Sequence, residues 1–442
     1  MCEFRFNTYG RACTEPAPVN RMMAEFATGF RDGVDVNLGV GYVNERTIPR
    51  DWLGEAMDAV VSQPDQHRQA FNYGGSQGSP NLHAALRAFL LRSGLGQLDA
   101  ATLARQALVI GPSGATSVLE AVADLLEPGL VITADPMYYI YCNYLERKGF
   151  RVVTVPEDEA GLDPDALAAT LDGLGEAVTD LAFFYVVTVN NPSCTILSNE
   201  RRQRLTEMAA DTSRRLGRTV PIFFDQAYEW LLHDPAMARP ISPLMTDTAA
   251  VAYEVGTLSK IVAPGLRIGY LLGPDSPLID AVAQKTSDVG FSAPLITQEM
   301  AAWFIEHRID GQLTAVNAGY REKAQAVRES IGRHLGPAVT RCRGGRAGFY
   351  FYLTLDGIRT DTGSPFFQFL TRTTGNPAVD GPAGAPYPRV IYIPGEYCVH
   401  PAGPCVAAGR NELRISYGFE EADVIDRALG HMRAALDYAR MP

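Results

Sequence analysis

Lysine is scarce in this chain. Only Lys148, Lys260, Lys285 and Lys323 occur among 442 residues, and arginine supplies the rest of the 39 basic side chains. Against 50 acidic residues this leaves a formal charge of −11, with no basic tract to offset it, which argues against a nucleic-acid partner or an anionic membrane surface. Cysteine is sparse as well. The seven cysteines (2, 13, 142, 194, 342, 398 and 405) are odd in number, irregularly spaced and never in a C-x-x-C pair. That pattern argues against a disulfide framework or a zinc site and fits reduced thiols. No stretch approaches the ~18 uninterrupted apolar residues of a membrane span. The opening MCEFRFNTYGRACTEP carries charges and lacks an apolar signal region, so the expectation is a cytoplasmic protein. Internal repeats and low-complexity tails are also missing.

What remains is an ordinary globular composition, 46% hydrophobic and 20% charged, with length for two or three domains. From about residue 106 onward, apolar segments alternate with helical patterns. ALVIG, GLVITADP, RVVTVPED, LAFFYVVTVNN, TVPIFFDQAY, AAVAYEVG and LRIGYLLGP each read as a strand, several as near-continuous apolar runs of the kind buried on both faces. Such alternation predicts an α/β fold with a mostly parallel, seven-stranded sheet wrapped in helices, and ligands beyond the C-terminal strand ends. After residue 300 a long helical stretch leads to the strand-like segments RAGFYFYLTL, RVIYIPG and NELRISYGF. Residues 356–389 between them, rich in Gly, Pro, Thr and Asp, read as an inserted loop. Residues 1–50 read as an arm with few regular signals. Within it, Gly39 and Gly41 either let backbone N–H groups approach a ligand or simply begin a loop.

The densest chemistry lies in 253–274, YEVGTLSKIVAPGLRIGYLLGP, where two apolar runs flank a small polar turn. A lysine held in apolar surroundings loses proton affinity and becomes an amine nucleophile toward an aldehyde. Hydroxyls at Thr257 and Ser259 with Arg267 suit a phosphate. An aldehyde and a phosphate on one small molecule describe pyridoxal 5′-phosphate (PLP). Its ring nitrogen calls for a buried carboxylate, and Asp225 ends the strand TVPIFFD. Ser113, Gly114, Ala115 and Thr116 stand where a strand gives way to a helix, so free N–H groups there can meet an anion.

These segments resemble the class I/II aminotransferases of fold type I, and the 2-aminoadipate aminotransferase-like branch in particular. T-L-S-K-x-x-A-P-G-L-R-I-G-Y is similar to that family's lysine segment, D-Q-A-Y to its D-x-x-Y, and Asn191-Pro192 to the start of its N-P-T-G, which continues here as Ser193-Cys194. The resemblance implies that Tyr228 and Asn191 bond the ring oxygen. It implies too that Tyr138 or the adjacent Tyr139 stacks on the ring, that Arg414 binds a substrate carboxylate, and that Asn191 and Gly41 line the substrate. Tyr73 would reach the phosphate of a neighbouring subunit.

The same resemblance implies a homodimer with a shared active site. Each subunit would have an arm (1–50) joined to a small α+β domain (306–442, with the insertion at about 356–389) and a large PLP-binding domain (51–305). An amino acid and a second small molecule would be the substrates, reacting through a Lys260 aldimine and a quinonoid. Transamination is the first reading. Elimination, replacement or carbon–carbon bond formation, for example on a sulfonium amino acid, is the alternative, kept open by the N-N-P-S-C turn, the insertion and the cluster Tyr138, Tyr139 and Tyr141. A regulator fusing this fold to a DNA-binding module is disfavoured, because the arm is neither basic nor helical in pattern.

Overall fold

The structure, a computed structural model, describes residues 4–382 and 387–441; Cys2 and residues 383–386 of the expected insertion lie outside them. The arm is more regular than its composition predicts. It contains the helices Thr8–Ala12 and α1 (Pro18–Ala27), the latter started by a proline in its first turn and burying Val19, Met22 and Phe26 on one face. That spacing of three apolar residues was the available signal. The arm then pairs Val36–Asn37 in parallel with Val390–Ile391, bringing the arm against the C-terminal part of the chain.

All seven apolar segments form strands, and a two-residue eighth strand joins them. They are β1 (Gln106–Ile110), β2 (Leu130–Asp135), β3 (Arg151–Asp158), β4 (Gly161–Leu162), β5 (Leu181–Val187), β6 (Ile222–Asp225), β7 (Ala252–Thr257) and β8 (Gly269–Pro274). Their spatial order is β1-β8-β7-β6-β5-β2-β3-β4. The pairs from β7 across to β3 are parallel, whereas β8 runs antiparallel to both β1 and β7, and β4 folds back on β3. Parallel neighbours need a long crossover. The β7–β8 connection holds only the short turn Pro264–Leu266, so β8 must return alongside β7. Every residue of β2 and β7 is buried, as a sheet covered on both faces requires. Helix α2 (Gly114–Leu125) packs on β7 and β8, and α3 (Tyr139–Arg147) on β3.

The long stretch after residue 294 forms two helices, α4 (Leu295–His307) and α5 (Ile309–His334). An antiparallel sheet follows, made of β9 (Val339–Gly344), β10 (Tyr350–Leu355), β11 (Ile393–Pro394) and β12 (Glu412–Ser416) in the order β9-β10-β12-β11. The expected insertion is not all loop. Ser364 caps α6 (Pro365–Thr371), whose Phe366, Phe367 and Leu370 are buried against α7 (Ala422–Ala439) and Tyr392. Its flanking Gly, Pro, Thr and Asp hid a short apolar helix that belongs to the core. Among the described residues no helix is long and apolar enough to cross a membrane.

One buried charge set joins the two sheets. Arg343 of β9 donates to Glu157 of β3 at 3.0 Å and to Glu412 of β12 at 3.3 Å. Glu157 also accepts from Asn190 (2.8 Å) and Thr195 (3.2 Å), which pins the loop after β5. Burial pushes the Glu157 carboxyl up, and the Arg343 guanidinium opposes that shift. Removing Arg343 would strand two carboxylates away from water. Arg343→Met is therefore expected to cost about 3–5 kcal/mol, read as a lowered thermal unfolding midpoint by circular dichroism. Adding Glu157→Gln and Glu412→Gln should recover most of it, and an unchanged midpoint in the single variant would contradict the assignment.

Candidate active site

β1, β2, β5, β6 and β7 all end on one edge of the large sheet, and a cavity of about 130 Å³ opens there. Its lining combines residues from each strand end. Ala115 and Thr116 come from the start of α2, Tyr138 from the turn after β2 and Asn191 from the loop after β5. Asp225 ends β6, with Tyr228 just beyond it, and Thr257, Ser259, Lys260 and Arg267 come from the β7–β8 turn.

Asp225 is buried, 4% exposed. One carboxylate oxygen accepts from the Tyr185 hydroxyl at 2.6 Å and the other from the Ala227 N–H at 2.9 Å. Among the described residues no cationic side chain pairs with it directly. Burial raises its pKa, and the bonds from Tyr185 and Ala227 and the more distant Lys260 charge only temper the rise. Tyr185 was not anticipated. The available signal was a tyrosine inside an otherwise apolar, doubly buried strand, where a hydroxyl must find a partner.

Lys260 opens on the same cavity. Its Nζ donates to the Gly41 carbonyl at 3.0 Å and lies 5.7 Å from the centre of the Tyr228 ring. Loss of solvation, then repulsion from Arg267 and Arg414, lowers its pKa to about 8, with Asp225 pulling the other way. Gly41 thus contributes its carbonyl oxygen to the lysine.

Anion-seeking groups line the same cavity. Arg267, held in a left-handed backbone conformation (φ 55°), donates to the carbonyls of Ser113 (2.9 Å) and Pro264 (3.0 Å) and reaches the Ser113 hydroxyl at 3.4 Å. For a non-glycine residue that conformation costs about 1–2 kcal/mol. Gly114 itself has φ +68°, and a Cβ there would lie 2.7 Å from an Arg267 guanidinium nitrogen. Only glycine lets the arginine sit against the helix start. Thr257 Oγ1 is 2.9 Å from Ser259 Oγ and 2.6 Å from the Ile268 carbonyl. The N–H groups of Ala115 and Thr116 stand in the first turn of α2, where no helical acceptor exists for them.

Arg414 of β12 borders the site and is 2% exposed. It donates to Asn191 Oδ1 at 2.7 Å and to the Gly39 carbonyl at 2.5 Å, while its Nε finds no partner among the described residues. Because arginine has only donors, Asn191 must offer its oxygen and keep its NH₂ group for the cavity. The Tyr139 and Tyr350 rings lie 5.8 and 4.3 Å from the guanidinium carbon. Of the two adjacent tyrosines, Tyr138 therefore lines the cavity and Tyr139 accompanies Arg414. Tyr73 is the residue that stands apart: it is 69% exposed and its ring lies 5.1 Å from that of Phe291. Among the described residues no group of His, Cys, Asp and Glu is placed to hold a metal.

The fold has counterparts among solved structures. The solved structure of a multiple substrate aminotransferase from Thermococcus profundus overlays with a TM-score of 0.81 at 18% identity, covering 98% of this chain and 97% of that one. A kynurenine aminotransferase of Pyrococcus horikoshii overlays equally well, with the same score, identity and coverage. By sequence, an uncharacterised HTH-type transcriptional regulator of Bacillus subtilis is 25% identical over 310 residues, 69% of this chain. The match spans only 59% of that regulator's length, and 61% of a second one from the same organism. The 2-aminoadipate transaminase of Thermus thermophilus is 24% identical over 395 residues, 88% of this chain and 87% of the relative. The family model for aminotransferase class I and II matches residues 35–376, and with so much of its length matched the chain belongs to that family.

Proposed function

We propose that this protein is a PLP-dependent enzyme acting on an α-amino acid, and that it is an aminotransferase. The observation that carries the reading is the pair opening on one cavity: Asp225, a buried carboxylate without a cationic partner among the described residues, and Lys260, an amine whose pKa is lowered to about 8. The donor set fits PLP. The uncompensated carboxylate suits a protonated ring nitrogen, the lysine an aldehyde, and Arg267, Ser259, Thr257 and the first turn of α2 a phosphate. Tyr228 and the Asn191 amide suit the ring oxygen.

When bound, PLP supplies an electron-accepting ring that takes up the charge left at the substrate Cα. The chain's own residues do the rest. Asp225 holds the proton on the ring nitrogen. Lys260, mostly neutral above pH 8 and oriented by the Gly41 carbonyl, holds and moves the proton at Cα. Arg414 anchors the substrate carboxylate, and the 2.7 Å bond to Asn191 keeps anchor and cofactor site in register. A homodimer belongs to the same reading, since a phosphate-reaching Tyr73 would have to serve another copy of the chain. So does the division into an arm, a large domain over 51–305 and a small one over 306–442.

The test is incubation of PLP-loaded protein with a panel of amino acids and 2-oxo acids, with the products identified by mass spectrometry. Paired formation of a new 2-oxo acid and a new amino acid is expected. Elimination, replacement or coupling products without a new amino acid would overturn transamination and favour the other reactions of the fold. Labelling of the protein by PLP and borohydride should fall on Lys260, be lost in Lys260→Ala, and rise with pH through a midpoint near 8. An ordinary lysine midpoint of about 10.4 would contradict the burial argument. Arg414→Lys, which keeps the charge but loses the planar fork, should lower kcat/KM for amino acids by about 10- to 100-fold, chiefly through KM.

A further inference from the structure

Tyr350, a residue that the sequence did not single out, touches more of the site than its place in β10 suggests. It is 1% exposed, and its hydroxyl lies 2.8 Å from the Tyr228 hydroxyl, the two rings meeting at 70°. The Arg414 guanidinium covers its ring at 4.3 Å. A Cβ on Gly41 would come within 2.6 Å of its hydroxyl, so the residue whose carbonyl holds Lys260 must be glycine for Tyr350 to stand where it does.

The two phenols carry one proton each, and burial keeps both protonated: Tyr350 is pushed up to about 12, and Tyr228 well above the ordinary value. Each hydroxyl finds only the other as its partner among the described residues. If Tyr228 donated to Tyr350, the Tyr350 proton would have no acceptor and Tyr228 would offer the cavity nothing but a lone pair. The opposite order uses both protons, and a phenol that accepts one hydrogen bond donates the next more strongly. Resting on the PLP reading above, we propose that Tyr350 is a positioning residue that donates to Tyr228, so that Tyr228 donates its own proton to the ring oxygen of the cofactor.

A stronger donation to that oxygen withdraws charge that would otherwise hold a proton on the adjacent Lys260 nitrogen. The pH midpoint of the visible absorption band of PLP-loaded protein should therefore depend on Tyr350. The charged and titratable groups around the pair are Lys260, Arg414, Tyr138, Tyr139 and Cys194, with Asp225 and Arg267 acting on Lys260. All of them are retained in Tyr350→Phe, which loses one hydroxyl and keeps the ring over Arg414.

The experiment is spectrophotometric pH titration of the wild type, Tyr350→Phe, Tyr228→Phe and the double variant, each loaded with PLP, with circular dichroism to establish folding. Tyr350→Phe should raise the midpoint by about half a pH unit, the scale of one neutral hydrogen bond acting through a second. Tyr228→Phe should raise it further, and the double variant should match Tyr228→Phe alone. An unshifted midpoint in folded Tyr350→Phe, or additive shifts in the double variant, would overturn the relay and leave the PLP reading intact. A wild type with no PLP band would overturn both.

Discussion

A sheet covered on both faces presents a ligand only with its strand ends, and the rest of this structure depends on that constraint. Parallel pairing sends β2, β5, β6 and β7 in one direction, and β8, by returning antiparallel, brings β1 into the same sense. Polar groups that have no place on the apolar faces can therefore collect at a single edge. Asp225 ends a strand whose every residue is buried, and Lys260 sits just beyond another. Chain segments more than a hundred residues apart, at Ser113 and Arg267, meet because their strands flank the same neighbour.

The electrostatics follow from that placement. Asp225 and Lys260 share a site with too little water to solvate either, and both shift toward their neutral forms. Neither pairs closely with the other. A carboxylate and an amine kept apart in this way are poised for a ligand that bridges them. Arg267 and Arg414 lower the lysine further, so the groups that would bind phosphate and carboxylate also set the state of the amine between them.

The smaller antiparallel sheet completes the site from the other side. Arg343 locks Glu157 to Glu412 and so keeps the loop bearing Asn191 beside β12, which carries Arg414. The arm contributes carbonyls, from Gly39 to Arg414 and from Gly41 to Lys260. Arg414 and Lys260 are thus both tied to the arm, and Arg414 also to the loop bearing Asn191, by polar contacts, while Asp225 is held separately by Tyr185 and the Ala227 N–H.

Local pattern alone determined the seven long strands, the mostly parallel sheet and the residues of the β7–β8 turn, because apolar runs of strand length and small polar turns are properties of neighbouring residues. It also carried the resemblance at Asn191, Asp225, Tyr228, Lys260, Arg267 and Arg414. It missed β4, α1 and α6, whose signals are too short or are masked by Gly and Pro around them. Only tertiary structure decided that Tyr138 and not Tyr139 lines the cavity, that Gly41 offers a carbonyl, and that Tyr185 and Tyr350 bond to Asp225 and Tyr228. Those facts depend on which side chains from distant segments are brought within about 3 Å of one another, and hydrogen bonding at that range has no counterpart in local sequence.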